Sequence, residues 1–289
     1  MLSTRSLLLV ILVAASAQAQ EDQARPRSTA EQRLLFARQA AEAYRFRFGG
    51  RDKSEVVLNP EPLLRWNNQV VREDDGMLFL WARGQKGRPV AAAQFFLVDT
   101  LWHHEFQSLC EKPFEARFPG APASDWSWEP GGAGLEFVRS ENAGAPGASA
   151  RERLRQMKAI AERFTAMVDP GREIARPEQL RVLTTPLYRY SAKDEGILDG
   201  ALFAIVQGTN PEVLILLEAD TSDPASPFWR HGFARMSSFR VRVFRGGETV
   251  WERQKAEVPT RERTSPYFFR WSAQPDRSAE VKSLAPRDK

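Results

Sequence analysis

The chain has 289 residues, 42% of them hydrophobic, with 41 basic and 37 acidic side chains and a formal charge of +4. That is enough apolar material for a real core, and the small basic excess is dispersed without a block of five like charges, which argues against nucleic acid as a partner. Cys110 is the one cysteine, so an internal disulfide is excluded and stability has to come from burial.

Residues 1–19 read as a signal peptide: Arg5 supplies a basic start, Leu7 to Ala15 an apolar core, and Ala17-Gln18-Ala19 a small-residue cleavage motif. No cysteine follows the cleavage site to carry a lipid, and no later apolar run reaches the ~20 residues that a spanning helix needs. The expectation is a bacterial chain exported to the periplasm or beyond the cell, beginning at Gln20 and soluble, with no membrane insertion after signal cleavage. The remainder divides into an N-terminal helix and linker (20–59), a single α+β domain (60–271) and a disordered C-terminal tail (272–289).

Ser28-Thr29-Ala30-Glu31 has capping-box spacing and predicts a helix from about Thr29 to Tyr44, stopped by Gly49-Gly50. Pro60, Pro62 and the acidic run Glu73-Asp74-Asp75 make 51–76 a loop with a short extended piece at Leu63 to Trp66. Met77 to Arg83 and Pro89 to Val98 form a hairpin around Gly84 and Gly87, with neither strand face plainly wet. Leu101 to Cys110 alternates, placing Trp102, His104, Phe106 and Cys110 on one face and His103, Glu105 and Gln107 on the other. Residues 111–134 are rich in Pro and Gly and read as a long ordered loop, followed by a short strand at Leu135 to Arg139.

A second capping box, Ser149 to Glu152, opens a helix whose stripe runs Leu154, Met157, Ile160, Ala161, Phe164 and Val168, ended by Asp169-Pro170-Gly171. Strand character returns over Leu180 to Tyr190. The runs Leu202 to Val206 and Val213 to Leu217 are almost continuously apolar and too short for buried helices, which is the mark of strands covered on both faces. Gly208 and Asn210-Pro211 lie between them, so the stretch reads as a hairpin at the centre of the chain. Phe228 to Met236, Phe239 to Arg245 and Thr249 to Glu252 supply further strands, the second with a wet, cationic face carrying Arg240 and Arg242. The fold class expected is α+β: a curved, mainly antiparallel sheet, sandwich-like or half-barrel, with an amphipathic helix packed on it.

Five pieces, LLRWNN (63–68), GMLFLWARGQKGRPVAAAQFF (76–96), WHHEFQSL (102–109), PLYRY (186–190) and LDGALFAIVQGTNPEVLILLEA (198–219), resemble an uncharacterised family of exported proteins that recurs in planctomycete bacteria. The likeness extends over about residues 60–252. It implies export and a single-domain habit, and no activity.

No nucleotide loop, nucleophile elbow, H-E-x-x-H or C-x-x-C pattern is present, and no cofactor is implied. His103 and Glu105 project from one strand face, and His231 could join them from another strand as a divalent-metal or hydrolytic centre; the competing reading is a polar strand face in which His103 bonds a neighbour. Cys110 shares a face with His104 but too far along the strand to pair, and reads as buried and inert. Trp126 and Trp128 form either a stacking platform or the cover of a sheet edge. Arg189, with Arg65, Arg240 and Arg242, could meet an anion if the fold brings them together. Two functions therefore stand side by side: a non-catalytic exported domain that binds an unknown protein or envelope component, and a hydrolase, metal-assisted or not, centred on His103, Glu105 and His231.

Overall fold

Strand-forming sequence dominates, and every strand pair is antiparallel. The computed structural model describes residues 29–50, 52–68, 73–98, 101–118, 127–171 and 177–273. Residues 1–19, read as a signal peptide, Ser28 of the first capping box, Trp126 and all residues beyond 273 lie outside them. The chain divides into a unit of residues 1–36 and a unit of residues 37–289, and the sheets belong to the second.

In chain order the elements are α1 (Thr29–Ala43), β1 (Arg45–Phe48), β2 (Val56–Leu58), β3 (Leu64–Asn68), β4 (Glu73–Arg83), β5 (Pro89–Val98), β6 (Leu101–Ser108), β7 (Phe114–Arg117), β8 (Ser127–Trp128), β9 (Val138–Arg139), α2 (Ala150–Ala161), β10 (Phe164–Asp169), β11 (Glu178–Val182), β12 (Tyr188–Ala192), a 3-10 turn (Lys193–Glu195), β13 (Ile197–Gln207), β14 (Asn210–Asp220), β15 (Phe228–Arg235), β16 (Arg240–Arg245), β17 (Glu248–Arg253) and β18 (Tyr267–Ala273). This is the curled, mainly antiparallel α+β architecture that the patterning predicts.

The central hairpin is β13 and β14, in the middle of a nine-stranded sheet ordered β17-β16-β10-β11-β13-β14-β15-β9, with β12 also on β13. Both faces of the hairpin are covered. Phe203, Ile205, Val213, Ile215 and Leu217 pack under α2 with Met157 and Ile160. Leu202, Ala204, Leu214 and Leu216 face Leu78, Leu80 and Phe96 of a six-stranded sheet, ordered β18-β6-β5-β4-β2 with β3 on β4. Alternation of side chains therefore serves two cores from one strand, which is why these runs look continuously apolar. The turn is tighter than the sequence suggests: Gly208 takes φ +60, and Asn210-Pro211-Glu212 already belongs to β14, with a register shift between Ile205 and Val206.

The far face of the six-stranded sheet packs on a small sheet ordered β1-β7-β8. Phe46 stands 4.5 Å from Trp81, Tyr44 4.7 Å from Phe106, and Phe106 5.7 Å from Trp128 between ring centres. Alternation in β4 supports this too, since Phe79 and Trp81 point to the aromatic layer and Leu78 and Leu80 to the other sheet.

Several elements depart from the expectation, among them β18 (Tyr267–Ala273), a strand the patterning does not predict, whose last two residues fall in the stretch read as disordered tail. Residues 45–58, read as linker after the first helix, contain β1 and β2, and 111–134, read as loop, contains β7 and β8. The stripe of α2 stops at Ala161: Glu162 is the C-cap, and Phe164, Ala166 and Val168 are the inward residues of β10, whose buried positions alternate. The steps from Ile160 and Ala161 to Phe164 and from Phe164 to Val168 fit a helix, while the two-residue steps through Ala166 fit a strand. Pairing with β11 and β16 selects the strand. Thr184-Thr185-Pro186 splits the strand expected over 180–190 into β11 and β12.

Candidate functional site between the sheets

A cavity of about 330 Å³ lies between the two large sheets, walled by β5, β6 and β18 on one side and by the β13–β14 turn and residues 236–239 on the other. Register places its polar groups. Glu105 of β6 lies opposite Gln94 of β5 and Phe269 of β18, and His103 lies opposite Phe96 and Trp271. The two-residue spacing of His103 and Glu105 sends both to the inner face, as the sequence implies.

Glu105 is buried, and both its oxygens are engaged. Oε1 accepts from the Tyr267 hydroxyl at 2.5 Å and Oε2 from Gln94 Nε2 at 2.5 Å. Burial raises its pKa, opposed by these two hydrogen bonds. The same Gln94 nitrogen donates to the Met236 carbonyl at 2.7 Å. Since that amide end faces two acceptors, the nitrogen must be there and Oε1 must take the other side. Gln94 is 2% exposed, lines the cavity, and its Oε1 has no hydrogen-bond partner among the described residues. Across the cavity Asn210 Nδ2 donates to Glu212 Oε1 at 3.1 Å, both side chains buried. Arg235 is the nearby cation, and its Nε, Nη1 and Nη2 donate to the carbonyls of Ser237, Gln254 and Phe239.

His103 does not bond a carboxylate. Its half-buried ring lies 5.0 Å from Phe96 and 5.3 Å from Phe269, and burial lowers its pKa to about 4. His231 does not join it. On β15 it pairs with Leu217 and points to the α2 side of the nine-stranded sheet, where Nδ1 meets Ser140 Oγ at 2.8 Å and the ring lies 4.9 Å from Phe164. The cavity is on the sheet's opposite face, so the centre of His103, Glu105 and His231 does not assemble. Among the described residues no group of three His, Cys, Asp or Glu side chains could hold a metal ion.

The other candidates serve the fold. Arg189 makes a two-pronged bond to Asp199, Nε at 2.9 Å and Nη2 at 2.6 Å, and also donates to the Ala150 carbonyl at the start of α2. Arg153 of α2 reaches the same carboxylate at 2.8 Å, so Asp199 fastens the helix to β12 and β13. Arg65 of β3 pairs with Asp75, while on β16 Arg240 pairs with Glu252 and Arg242 reaches Met167 Sδ, so Arg65 and Arg189 do not converge with the β16 arginines. Trp128 is fully buried in the aromatic layer and donates its indole N–H to the Ser265 carbonyl at 2.7 Å. His104 is buried between the Tyr44 hydroxyl at 2.8 Å and Ser272 Oγ at 3.1 Å, its pKa lowered by burial to about 3. Cys110 is buried, and burial raises its thiol pKa.

A second buried network is not apparent from sequence. Glu218 of β14, with a fully buried side chain, accepts from Arg88 Nε at 2.7 Å, Arg230 Nε at 2.9 Å and the Tyr190 hydroxyl at 2.7 Å. Arg88 comes from the β4–β5 turn, so it ties one large sheet to the other. Burial alone would lower its pKa, but the Glu218 carboxylate overrides this and raises it. Gly200 makes room for the network, since a Cβ there would stand 2.5 Å from the Tyr190 ring. Gln94, Asn210, Glu212 and Tyr267, which complete the cavity's polar wall, were also missed. Gln94 carries the one available signal, an amide inside the otherwise apolar run Val90 to Val98.

No family model matches the chain, and no curated protein or solved structure matches it.

Proposed function

We propose that the chain is an exported, non-catalytic binding domain of the cell envelope, and that it takes a small group of its partner into the cavity between the sheets. The observation that carries this is the cavity itself, about 330 Å³ and at the low end of the ~300–1,000 Å³ typical of small-molecule sites, walled by the rings of Phe96, Phe269 and Trp271 together with the polar side chains of Gln94, Glu105, Asn210 and Glu212. Two further features favour binding over chemistry. The three histidines are held below their ordinary pKa by burial and contact rings or hydroxyls, not carboxylates, and Glu105 has both oxygens engaged. A hydrolytic base needs a nucleophile or water within reach and an orienting partner behind it. The signal-peptide pattern of residues 1–19 and the resemblance to exported planctomycete proteins support export. Among the described residues no helix is long and apolar enough to cross a membrane.

Ligand-observed NMR of the purified chain against a fragment collection tests the binding reading, with Val258→Trp as a blocked control. Val258 lies on the cavity rim at 36% exposure, so added bulk there can fill the opening without entering the core. Fragments that bind the parent and lose binding in the variant support the site. An equal set of hits on both proteins rules it out. Intact mass from the export fraction tests the other half: a chain beginning at Gln20 is expected, and one retaining Met1 contradicts export by cleavage.

A further inference from the structure

Most of the polar groups at the cavity are spent within the fold. Glu105 has both oxygens engaged by Tyr267 and Gln94, Asn210 donates to Glu212, and the buried guanidinium of Arg235 gives its three nitrogens to backbone carbonyls. His103 is different. It lines the cavity half-buried among rings, 5.0 Å from Phe96, 5.3 Å from Phe269 and 6.3 Å from Trp271 between centres. Its nitrogens make no hydrogen bond among the described residues, and neither is sealed from the surroundings. Trp271, 44% exposed, extends the aromatic wall to the cavity's edge. We infer that the group taken into the cavity is an uncharged hydroxyaryl ring, which lies against Phe96, Phe269 and Trp271 and places its hydroxyl on His103. This rests on the reading of the cavity as the binding site.

The imidazole narrows the head group. A neutral ring has one nitrogen that donates and one that accepts, and a hydroxyl, which can do both, meets either. Burial keeps His103 uncharged, lowering its pKa to about 4, and the same loss of water opposes a ligand ammonium in that place. A ligand carboxylate would be desolvated too, and Arg235, the buried cation nearby, has each nitrogen already bonded. The walls narrow the body. Phe269 meets His103 and Trp271 edge to face, at 76° and 78°, and an inserted aromatic ring can join that arrangement, whereas a saturated body cannot.

Isothermal titration of the full chain at neutral pH with 4-methylphenol, 4-fluorotoluene, 4-methylcyclohexanol and benzylamine separates these cases. The phenol is expected to bind about fivefold more tightly than 4-fluorotoluene, which keeps the ring and lacks the hydroxyl, a difference of one hydrogen bond. It should also bind more tightly than 4-methylcyclohexanol, which keeps the hydroxyl without aromatic faces, and than benzylamine, which carries a charge. His103→Phe keeps a ring in the wall and removes both nitrogens, so it should weaken the phenol about fivefold and leave 4-fluorotoluene unchanged; undiminished phenol binding in it overturns the inference. Should that variant fail to fold, the ranking of probes on the parent chain decides alone. N-acetyltyrosinamide carries the same ring on a peptide: binding as tight as that of 4-methylphenol assigns the ring to a tyrosine of a partner protein, and binding of 4-methylphenol alone assigns it to a free phenol. If any of the other three probes binds as tightly as 4-methylphenol, and Val258→Trp abolishes both, the hydroxyaryl ring is wrong and the cavity stands. If no probe binds at millimolar concentration, or Val258→Trp binds them all unchanged, the cavity reading fails and the ring with it.

Discussion

Truncating the two faces of β14 separately measures whether the central hairpin feeds two cores. Leu216 and Ile215 are adjacent and each fully buried, yet Leu216 lies among Leu78, Leu80 and Phe96 between the sheets, whereas Ile215 lies among Phe203, Phe233 and Met157 under α2. Replacement by Ala removes three carbons from either, worth roughly 0.8 kcal/mol each or about 2.4 kcal/mol in transfer terms. The unfilled space adds to this, so about 2 to 5 kcal/mol is expected for each variant. That is a large part of the ~5 to 15 kcal/mol that stabilises a typical domain. Arg240→Ala is the control: the side chain is partly exposed and paired with Glu252 at the surface, so its loss should cost under about 0.5 kcal/mol. Denaturant melts give the three values. If Leu216→Ala and Ile215→Ala differ so that one costs less than about 1 kcal/mol, the hairpin is covered on one face only and the two-core reading is wrong.

Glu218→Gln should destabilise by about 3 kcal/mol or more, because Arg88 and Arg230 stay buried without their shared carboxylate, while Glu111→Gln on the exposed side of the same network should cost under about 1 kcal/mol; equal losses would show that burial does not set the energy. The three histidines have folded pKa values lowered to about 4, 3 and 4 from an ordinary 6.5, so as pH falls from 6.5 toward 4 the unfolded chain takes up protons that the folded chain refuses. Stability that is fully present above pH 6.5 is lost across that window, at roughly 1.4 kcal/mol per pH unit for each proton. His231→Gln should flatten the slope measured by melts at several pH values, and an unchanged slope would show that His231 is not among the groups responsible. Thiol labelling of Cys110 should be slow in the folded chain and rapid after unfolding, as expected of a buried thiol with a raised pKa; fast labelling of the native protein would contradict its burial.

What the sequence disclosed follows from how local the determining physics is. The α2 start was legible because a capping box is written in four consecutive residues, Ser149 to Glu152, and both of its reciprocal bonds form. The central hairpin was legible because two-sided burial makes the runs Leu202 to Val206 and Val213 to Leu217 continuously apolar. Short strands such as β1, Arg-Phe-Arg-Phe, and β18, Tyr-Phe-Phe-Arg-Trp, owe their existence to distant partners: β1 pairs with β7 across 66 to 72 residues, and β18 with β6 across 160 to 172. The alternation was present, but nothing local required a ladder. The site divides in the same way. That His103 and Glu105 share a face is strand geometry and could be read directly, whereas the placement of His231 depends on which face of β15 meets α2. Gln94, Glu212 and Arg235 acquire meaning only when two sheets close over them.

The most direct measurement is chemical-shift mapping of the isotopically labelled chain during titration with a fragment that binds it. The account predicts that perturbed amides cluster at Phe269 to Trp271, Met236 to Phe239 and the turn around Asn210, while Ser140 and His231 on the other face of the nine-stranded sheet stay unshifted. Perturbations centred on that other face, or none between the sheets at saturating fragment, would contradict the claim that the space between the sheets is where this protein binds.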